Sequence, residues 1–312
     1  MELIQNINDI RKPFRNAVIT IGNFDGVHLG HQALFRQVVK KARELAGTSI
    51  AMTFEPHPIR VLNGNDYPPL ITLYEQKVEL IAKSDLDVLI CIPFTQEVAS
   101  IMPKEFVEDI LLKRIGMKVI VVGGDYAFGK NREGNLDLLK RYAGDHGFEV
   151  IVADWIKISE TLPRRISSTK IRGLIIDGKV EDASKLLGRH YQIRGSVVTG
   201  RNRGAKSLGF PTANIKLNDE LCPKMGVYAV TVELGDRAYN GVANIGYSPT
   251  FNDRIFTVEV HILDFNQDIY GDKIRVNFIK RIRNEKKFSN IEQLSRQIKK
   301  DISKAREILV GQ

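Results

Sequence analysis

The chain has 312 residues, a length that predicts two domains. Hydrophobic residues make up 43% and charged residues 27%, which is typical of a globular protein. No apolar run reaches the about 18–20 residues that a membrane span requires. The net charge is +9, but residues 280–312 alone carry +6 of it, so a general nucleic-acid-binding surface is not indicated. Residues 1–14 lack the pattern of a signal peptide, and Cys91 and Cys222, the only cysteines, show no CxxC pairing, which excludes a disulfide framework and predicts a cytoplasmic protein.

Strand and helix patterns alternate through the first half of the chain. Continuous apolar segments predict strands at residues 18–21, 49–54, 87–94, 118–123 and 148–154. Helical spacing of apolar residues predicts helices over 31–45 and 105–115, and another after residue 170. Apolar strands that alternate with helices are typical of a parallel sheet with both faces covered, so we expect an α/β domain here.

The pattern changes near Gly188. Short strands separated by turn residues, without helices between them, are predicted at 191–198, 227–234, 237–245, 255–263 and 273–279. This spacing favours an antiparallel barrel. A C-terminal helix follows, and Ser289 and Glu292 are its expected capping box. We therefore predict two domains, residues 1–186 and residues 187–312.

The segment GNFDGVHLGH, residues 22–31, joins the first of these strands to the first helix. Its glycines let the backbone approach a ligand, and a helix N-terminus offers free N–H groups to phosphate. His28 and His31 are three residues apart, so both can donate hydrogen bonds to charge developing on a phosphoryl group. A glycine-rich turn and a metal site are the alternatives. The segment resembles the HxGH signature of the adenylyl- and cytidylyltransferases, in which both histidines contact nucleotide phosphates.

A second segment, RISSTKIRGLI at residues 165–175, has the character of a phosphate-binding helix start. Ser167, Ser168 and Thr169 offer hydroxyls there, and Arg172 follows one turn later. An ordinary helix cap is the alternative. Beside HxGH, the segment resembles the ISSTxIR motif of the same superfamily, which grips the outer phosphates of a nucleoside triphosphate.

Two loops that follow predicted strands, residues 53–58 and 123–135, are expected to select the second substrate. Both carry aromatic side chains, which either pack in the core or stack on a flat heterocycle.

The second half carries a separate set of candidate residues. GRNRGAKS, residues 200–207, is not a P-loop, because Ala205 replaces the second glycine and Pro211 comes too soon for a helix. It is predicted to be a loop that covers phosphates. Thr212 and Asn214 offer the neutral oxygens that Mg²⁺ accepts beside nucleotide phosphates.

Glu259 stands between two valines in a predicted strand, so alternation puts it on the face opposite to them. A solvated glutamate on an outer face and a general base at the barrel mouth both remain open. His261 shares the same face and is the rival base.

These segments, with LLGRHY, GVYAV, GVANIGYSPTF, IYGDKIRVNFI and RIRNEKKF, occur in one order along nearly the whole chain. The chain thereby resembles the bacterial bifunctional riboflavin kinase/FMN adenylyltransferases, also called FAD synthetases. The resemblance implies a Rossmann-like nucleotidyltransferase domain followed by a small, six-stranded riboflavin kinase-like barrel with a C-terminal helix. It implies that riboflavin and MgATP give FMN, and that FMN and MgATP give FAD and pyrophosphate. The expected partners are therefore small molecules (Mg²⁺, ATP and flavins), with no nucleic acid, membrane or obligate protein partner.

The resemblance also implies roles for individual residues. Catalysis is expected of His28, His31, Arg172 and Glu259. ATP is expected to contact Gly22, Asn23, Phe24, Gly26, His28, His31, Ser167, Ser168, Thr169 and Arg172, and, in the kinase, Gly200, Gly204 and Lys206. Flavin is expected at Phe54, His57, Pro58, Asp125, Tyr126, Phe128, Glu259 and Arg283, and Mg²⁺ at Thr212 and Asn214.

Two departures and two alternatives bear on this assignment. Ala205-Lys206 stands where many members of the family have Gly-Arg, and His190 replaces a usual proline. The alternatives are a transferase for another acceptor, such as pantetheine phosphate or a nicotinate nucleotide, and a flavin- or nucleic-acid-binding regulator that uses the basic C-terminus.

Overall fold

The computed structural model describes residues 1–64, 67–153, 166–199, 209–217, 219–249 and 254–310. The chain forms two compact units, Met1–Ser167 and Ser168–Gln312, called the sheet unit and the barrel unit below. Gly200, Gly204 and Lys206, the predicted ATP contacts of the kinase loop, lie outside the described residues. Within the described ranges, no helix is long and apolar enough to cross a membrane.

The sheet unit is built on six parallel strands in the order β1-β4-β3-β2-β5-β6. The strands are β1 (Glu2–Ile4), β2 (Ala17–Ile21), β3 (Ser49–Glu55), β4 (Val88–Pro93), β5 (Met117–Gly123) and β6 (Glu149–Ala153). All five predicted strands are confirmed, and β1 was not predicted. Because β2 pairs with β3 on one side and with β5 on the other, a crevice for ligands is expected at the carboxyl ends of β2 and β5.

Helices cover both faces of this sheet. They are α1 (Leu29–Glu44), α2 (Pro58–Leu62), α3 (Tyr74–Ala82), α4 (Gln96–Ala99), α5 (Pro103–Glu105), which continues as a π-helical stretch (Phe106–Ile115), and α6 (Leu136–His146). On one face, Phe35 and Val38 of α1 join a buried cluster with Val18. On the other, Leu111 packs in a cluster with Ile19. The predicted doubly covered sheet is confirmed.

The barrel unit starts with two helices, α7 (Ser168–Ile176) and α8 (Val180–Leu187). Six antiparallel strands then close in the order β10-β11-β8-β7-β12-β9. They are β7 (Tyr191–Val198), β8 (Ala213–Lys216), β9 (Gly226–Leu234), β10 (Arg237–Pro249), β11 (Arg254–Ile262) and β12 (Lys273–Arg283), and α9 (Ile291–Leu309) follows. The antiparallel barrel is confirmed, and β8 is a strand that the apolar pattern did not predict.

The barrel interior is filled by side chains. The ring of Phe278 lies 6.1 Å from that of Tyr191 and 5.3 Å from that of Tyr228, measured between centroids. Outside the barrel, α8 packs on β7 and β12, and Ala305 and Leu309 of α9 pack in a cluster with wall residues of the barrel.

The start of α9 differs from the sequence prediction. The capping residue is Asn290, whose side-chain oxygen accepts the N–H of Gln293 at 2.9 Å. The expected Ser289–Glu292 box was therefore wrong by one residue, since the Ser289 hydroxyl instead bonds the side chain of Gln293.

Candidate active sites

The first candidate site lies in the loop between β2 and α1. His28 caps α1, and its Nδ1 accepts the backbone N–H of His31 at 3.3 Å. A neutral imidazole that accepts at Nδ1 carries its proton on Nε2, so Nε2 is a hydrogen-bond donor. The two histidine rings stack with their centroids 3.6 Å apart. The sequence prediction of two neighbouring histidines at a helix N-terminus is confirmed, and such a position favours phosphate.

Two glycines of this loop are required by its geometry. Gly26 has a φ of +85°, a conformation that side chains disfavour. A Cβ on Gly30 would lie 3.1 Å from two atoms of the His28 ring, so any side chain there would displace the histidine. The same Cβ would lie 3.9 Å from the Cβ of Ile166. Ile166 immediately precedes Ser167, so this part of the backbone lies close to the loop between β2 and α1, called the histidine loop below.

Three other predicted ATP contacts in this loop have structural partners. Gly22 donates its N–H to the carbonyl of Met52 at 3.0 Å. The carbonyl of Asn23 accepts the Thr53 hydroxyl at 3.3 Å. Phe24 is 2% exposed, and its ring meets that of His31 edge-on at 5.3 Å. Phe24 therefore supports the His31 ring by packing, and its contact with ATP stays a prediction.

The carboxyl end of β3 and the loop after it carry three predicted flavin residues. His57 caps α2, because its Nδ1 accepts the N–H of Ile59 at 3.2 Å, and Pro58 is the first residue of that helix. Phe54 is half-buried, with its ring edge-on to that of Phe94 at 5.5 Å. The three residues thus share the carboxyl end of β3, and their contact with flavin stays a prediction.

The two aromatic residues predicted to contact flavin in the loop after β5, Tyr126 and Phe128, differ in their surroundings. The rings of Tyr126 and Phe128 stack at 5.5 Å, but Phe128 is 6% exposed and belongs to the core. Burial raises the pKa of Tyr126, and its hydroxyl has no hydrogen-bond partner among the residues that the structure describes. Asp125 is exposed. Phe128 is therefore a core residue, which was one of the two alternatives for these aromatic side chains. The flavin contacts of Asp125 and Tyr126 stay predictions.

The helix start predicted for the segment with Ser167, Thr169 and Arg172 is present. The helix α7 begins at Ser168, so Thr169 lies in its first turn and Arg172 one turn later. Ser167 is the last residue of the sheet unit, and α7 belongs to the barrel unit. The grip of these residues on the phosphates of ATP stays a prediction.

The second candidate site lies on the outer wall of the barrel. In the strand register, Asn214 of β8 stands opposite Glu259 of β11. Directly opposed residues put their side chains on the same face, about 4.5–5.5 Å apart at Cβ. Because Val258 and Val260 are fully buried, Glu259 and Asn214 point to the face away from the barrel interior. The predicted alternation is therefore confirmed, and Glu259 is half-buried on the outer wall.

A third polar residue, Asn244, extends this row and was not predicted. It stands opposite Glu259 on the other side, in β10. Its neighbours Ala243 and Ile245 are fully buried, so Asn244 also faces outward. In the sequence, Asn244 is a polar residue between two apolar ones in a strand, which indicates its face. Its place beside Glu259 follows only from the pairing of β10 with β11.

His261, the rival base, is tied to the segment that leads into β8. Its Nδ1 lies 2.8 Å from the carbonyl oxygen of Pro211. A carbonyl only accepts, so Nδ1 carries the proton and donates it. The ring also meets that of Phe210 edge-on at 5.9 Å. His261 therefore anchors the residues immediately before Thr212 and Asn214.

The oxygens of Thr212 and Asn214 fit a magnesium ion that arrives with a nucleotide. Both are neutral donors of the hard type that Mg²⁺ prefers, and two such ligands leave the remaining positions to phosphate and water. Among the described residues there is no group of three or more His, Cys, Asp or Glu side chains that could hold a metal by itself.

Arg283, a predicted flavin contact, is held by α9. Its Nε and Nη2 donate to the two oxygens of Asp301 at 2.9 and 2.7 Å, and Nη1 donates to the Asn284 carbonyl at 2.8 Å. The side chains of Arg283 and Asp301 are 16% and 6% exposed. Gln297 also donates to Asp301, at 2.9 Å. The sequence did not reveal this pair, and a contact of Arg283 with flavin stays a prediction.

This pair predicts a stability effect. Asp301→Ala is expected to lower the free energy of unfolding by about 3–5 kcal/mol, because the Arg283 guanidinium is left buried without its carboxylate. Chemical denaturation followed by circular dichroism measures it. Lys304→Ala is the matched control, since Lys304 forms an exposed ion pair with Glu307 on the same helix and such pairs contribute little. Equal effects of the two substitutions would contradict a structural role for Asp301.

Together, these sites define a class of protein. A histidine pair at a helix N-terminus beside the crevice of a parallel sheet is the arrangement of a nucleotidyltransferase, and the barrel wall presents a carboxylate beside two amide side chains. The chain is thus a two-unit enzyme of the nucleotide-dependent transferase class.

Comparison with known proteins specifies the family. The chain matches the family model for FAD synthetase over residues 10–170 and that for riboflavin kinase over residues 187–309. It belongs to the family of bifunctional riboflavin kinase/FMN adenylyltransferases, as the sequence resemblance predicted.

Two individual relatives carry the name of this family, and one similar crystal structure carries a different description. A bifunctional riboflavin kinase/FMN adenylyltransferase from Buchnera aphidicola subsp. Schizaphis graminum is 37% identical over 305 residues, which is 97% of each chain. One from Listeria monocytogenes is 40% identical over 92% of this chain and 90% of its own. A crystal structure described as a macrolide-efflux protein from Streptococcus pneumoniae superposes with a TM-score of 0.85 at 36% identity, covering 97% of this chain and 98% of that one. Neither family model shares that description, so only the fold is taken from it.

Proposed function

We propose that this chain carries out two consecutive transfers. In the barrel unit, riboflavin and MgATP give FMN and ADP. On the sheet unit, FMN and MgATP give FAD and pyrophosphate. The observation that carries the proposal is the division of the chain between two family matches, each with its own polar site. A transferase for pantetheine phosphate or a nicotinate nucleotide would leave the riboflavin kinase match unexplained, and a non-enzymatic regulator would leave both sites unexplained.

In the adenylyl transfer, an oxygen of the FMN phosphate attacks the α-phosphorus of ATP, and the bond from that phosphorus to pyrophosphate breaks. Negative charge develops on the phosphate oxygens, and donors aimed at them lower the barrier. The Nε2–H of His28 supplies such a donor, and the positive end of the α1 helix dipole adds to it. Ser167, Thr169 and Arg172 bind the outer phosphates in this proposal, and the loops after β3 and β5 hold the flavin.

In the kinase step, Glu259 takes the proton of the ribityl hydroxyl, and the oxygen then attacks the γ-phosphorus of ATP while ADP leaves. Proton removal matters because a hydroxyl is a poor nucleophile. Support comes from the placement of Glu259 between Asn214 and Asn244 on one face of the wall. Mg²⁺, which Thr212 and Asn214 would hold, offsets phosphate charge when bound.

The direct test is incubation with riboflavin, ATP and Mg²⁺, followed by chromatographic separation of the flavins. FMN is expected first and FAD later, and a chelator is expected to stop both. Supplying FMN in place of riboflavin isolates the second reaction. Absence of both products in the presence of folded protein would overturn the proposal.

The two activities are expected to be separable. Residues 187–312 alone should convert riboflavin to FMN and make no FAD, because every kinase motif lies after the predicted boundary. A fragment of residues 168–312 is the matched comparison, since it retains α8, whose Val180 and Leu186 are buried. We expect the same flavin product from the longer fragment and a higher melting temperature. FAD from either fragment, or no kinase from both, would contradict the boundary.

We also propose that the protein acts in the cytoplasm. Cys91 and Cys222 are free thiols, and burial raises the pKa of both, to about 12 for Cys222. Unpaired thiols of this kind are typical of a reducing compartment.

A further inference from the structure

Residues 70–77, which comprise the segment before α3 and the first turn of that helix, carry an unusual share of the buried polar groups. Thr72, Gln76 and Lys77 are 3%, 4% and 4% exposed. Buried polar groups are expensive unless they are paired, so each calls for a structural or functional reason. This segment is called the brace below.

The brace is bonded to the histidine loop. A carboxylate oxygen of Asp25 accepts the backbone N–H groups of Ile71 at 2.9 Å and Thr72 at 3.2 Å. In the opposite direction, the Thr72 hydroxyl accepts the N–H of Gly26 at 3.0 Å. All three bonds are buried, and they fix the backbone two to three residues before His28.

This part of the histidine loop has an unfavourable backbone conformation, which the three hydrogen bonds hold in place. Phe24, Gly26 and Val27 have φ angles of +50°, +85° and +38°. Positive φ is rare for residues other than glycine and most unfavourable for a β-branched one such as Val27. Such conformations persist only where the surroundings impose them. The brace supplies that constraint, and the constrained backbone aims His28.

At its other end, the brace is bonded to the last two residues of β3, which lead into the loop after that strand. The ammonium of Lys77 donates to the carbonyl of Phe54 at 3.2 Å and lies 3.5 Å from a carboxylate oxygen of Glu55. The Lys77 side chain is 5% exposed and that of Glu55 30%. A buried charge of this kind holds its partners firmly, because separating them would leave it unsolvated. The contact fixes the backbone from which Phe54 projects and which leads into His57.

We propose that the brace positions both substrate loops of the adenylyl-transfer site, Thr72 acting on the ATP side and Lys77 on the flavin side. The proposal rests on the function proposed above for the sheet unit. Its distinctive consequence is that the two ends of the brace affect different substrates, which a merely structural role would not produce.

Steady-state kinetics of FAD formation test this. Lys77→Met keeps the length of the side chain and removes the ammonium, and it is expected to raise the KM for FMN by about 10-fold or more, since hydrogen bonds to charged groups are among the stronger ones. The KM for ATP should stay within about twofold. Thr72→Val, which is close in shape, is expected to raise the KM for ATP or lower kcat and to leave the KM for FMN unchanged, and Thr72→Ser should restore the wild-type values.

Three controls accompany these variants. Riboflavin phosphorylation, measured on the same molecules, is expected to be unchanged because it belongs to the barrel unit, and the melting temperature of each variant reports whether the sheet unit is folded. Lys83→Met changes an exposed lysine just after α3 and should change neither KM. Glu55→Gln weakens the ion pair but leaves the bond from Lys77 to the Phe54 carbonyl, so it is expected to raise the KM for FMN less than Lys77→Met does.

Two results would overturn the proposal. One is that Lys77→Met and Thr72→Val raise both KM values equally, in step with a lower melting temperature. The other is that Lys77→Met binds FMN as tightly as wild type in a flavin fluorescence titration. Failure of the wild-type chain to form FAD would instead reject the proposed function, so the two failures are distinguishable.

Discussion

Glu259→Gln is expected to abolish most riboflavin phosphorylation and to leave FAD synthesis from supplied FMN near normal. Glutamine keeps the size and hydrogen bonding of glutamate but cannot accept the substrate proton, and general-base catalysis typically contributes about 10²–10⁴-fold. The measurement is the initial rate of FMN formation from riboflavin. FAD formation from FMN by the same sample should be unchanged, and the melting temperature compared with wild type is the control for folding of the barrel unit.

His261 provides the comparison that makes this prediction decisive. His261→Ala is expected to slow the kinase much less than Glu259→Gln, because its Nδ1–H is already donated to the Pro211 carbonyl and anchors the chain before Thr212. His261→Asn, whose amide can donate from a similar position, should restore most of any loss. If Glu259→Gln keeps near-wild-type kinase turnover while His261→Ala loses it, the histidine is the base and the assignment to Glu259 is wrong.

The second large effect concerns the histidine pair of the sheet unit. His28→Ala or His31→Ala is expected to slow FAD formation by at least about 10²-fold, as removal of a single transition-state donor typically does. Kinase activity should be almost unchanged. Chromatographic assay of FAD from FMN, beside FMN from riboflavin, measures both on one protein.

A matched variant separates catalysis from helix capping. His28 caps α1 through Nδ1, so His28→Ala also loses a cap, which costs about 0.5–2 kcal/mol of stability. His28→Asn retains a good capping oxygen and lacks the Nε2–H. It should keep the melting temperature and still lose FAD formation. Equal loss of FAD formation and of kinase activity would point to a folding role for the histidines.

Short-range patterns in the sequence determined the secondary structure of the two units and the histidine site. Continuous apolar runs of four to eight residues located β2 to β6, because strands buried on both faces are made mostly of apolar residues. His28, His31 and Gly30 lie within four residues of one another, so a single helix start brings them together, whereas the backbone before it is also held by Ile71 and Thr72. The outward direction of Glu259 likewise follows from its two valine neighbours.

The tertiary structure alone decided the contacts between residues distant in the chain. The edge strand β1 has only three residues and is a strand because it pairs with β4. In the same way, β8 is a strand because it pairs with β7 and β11. Asp301 meets Arg283 from 18 residues away, and Thr72 meets Gly26 from 46. A threonine, a lysine or an aspartate has no local pattern that marks it as buried. Its role is set by a partner that the fold brings close, because burial of a polar group is tolerated only where such a partner is present.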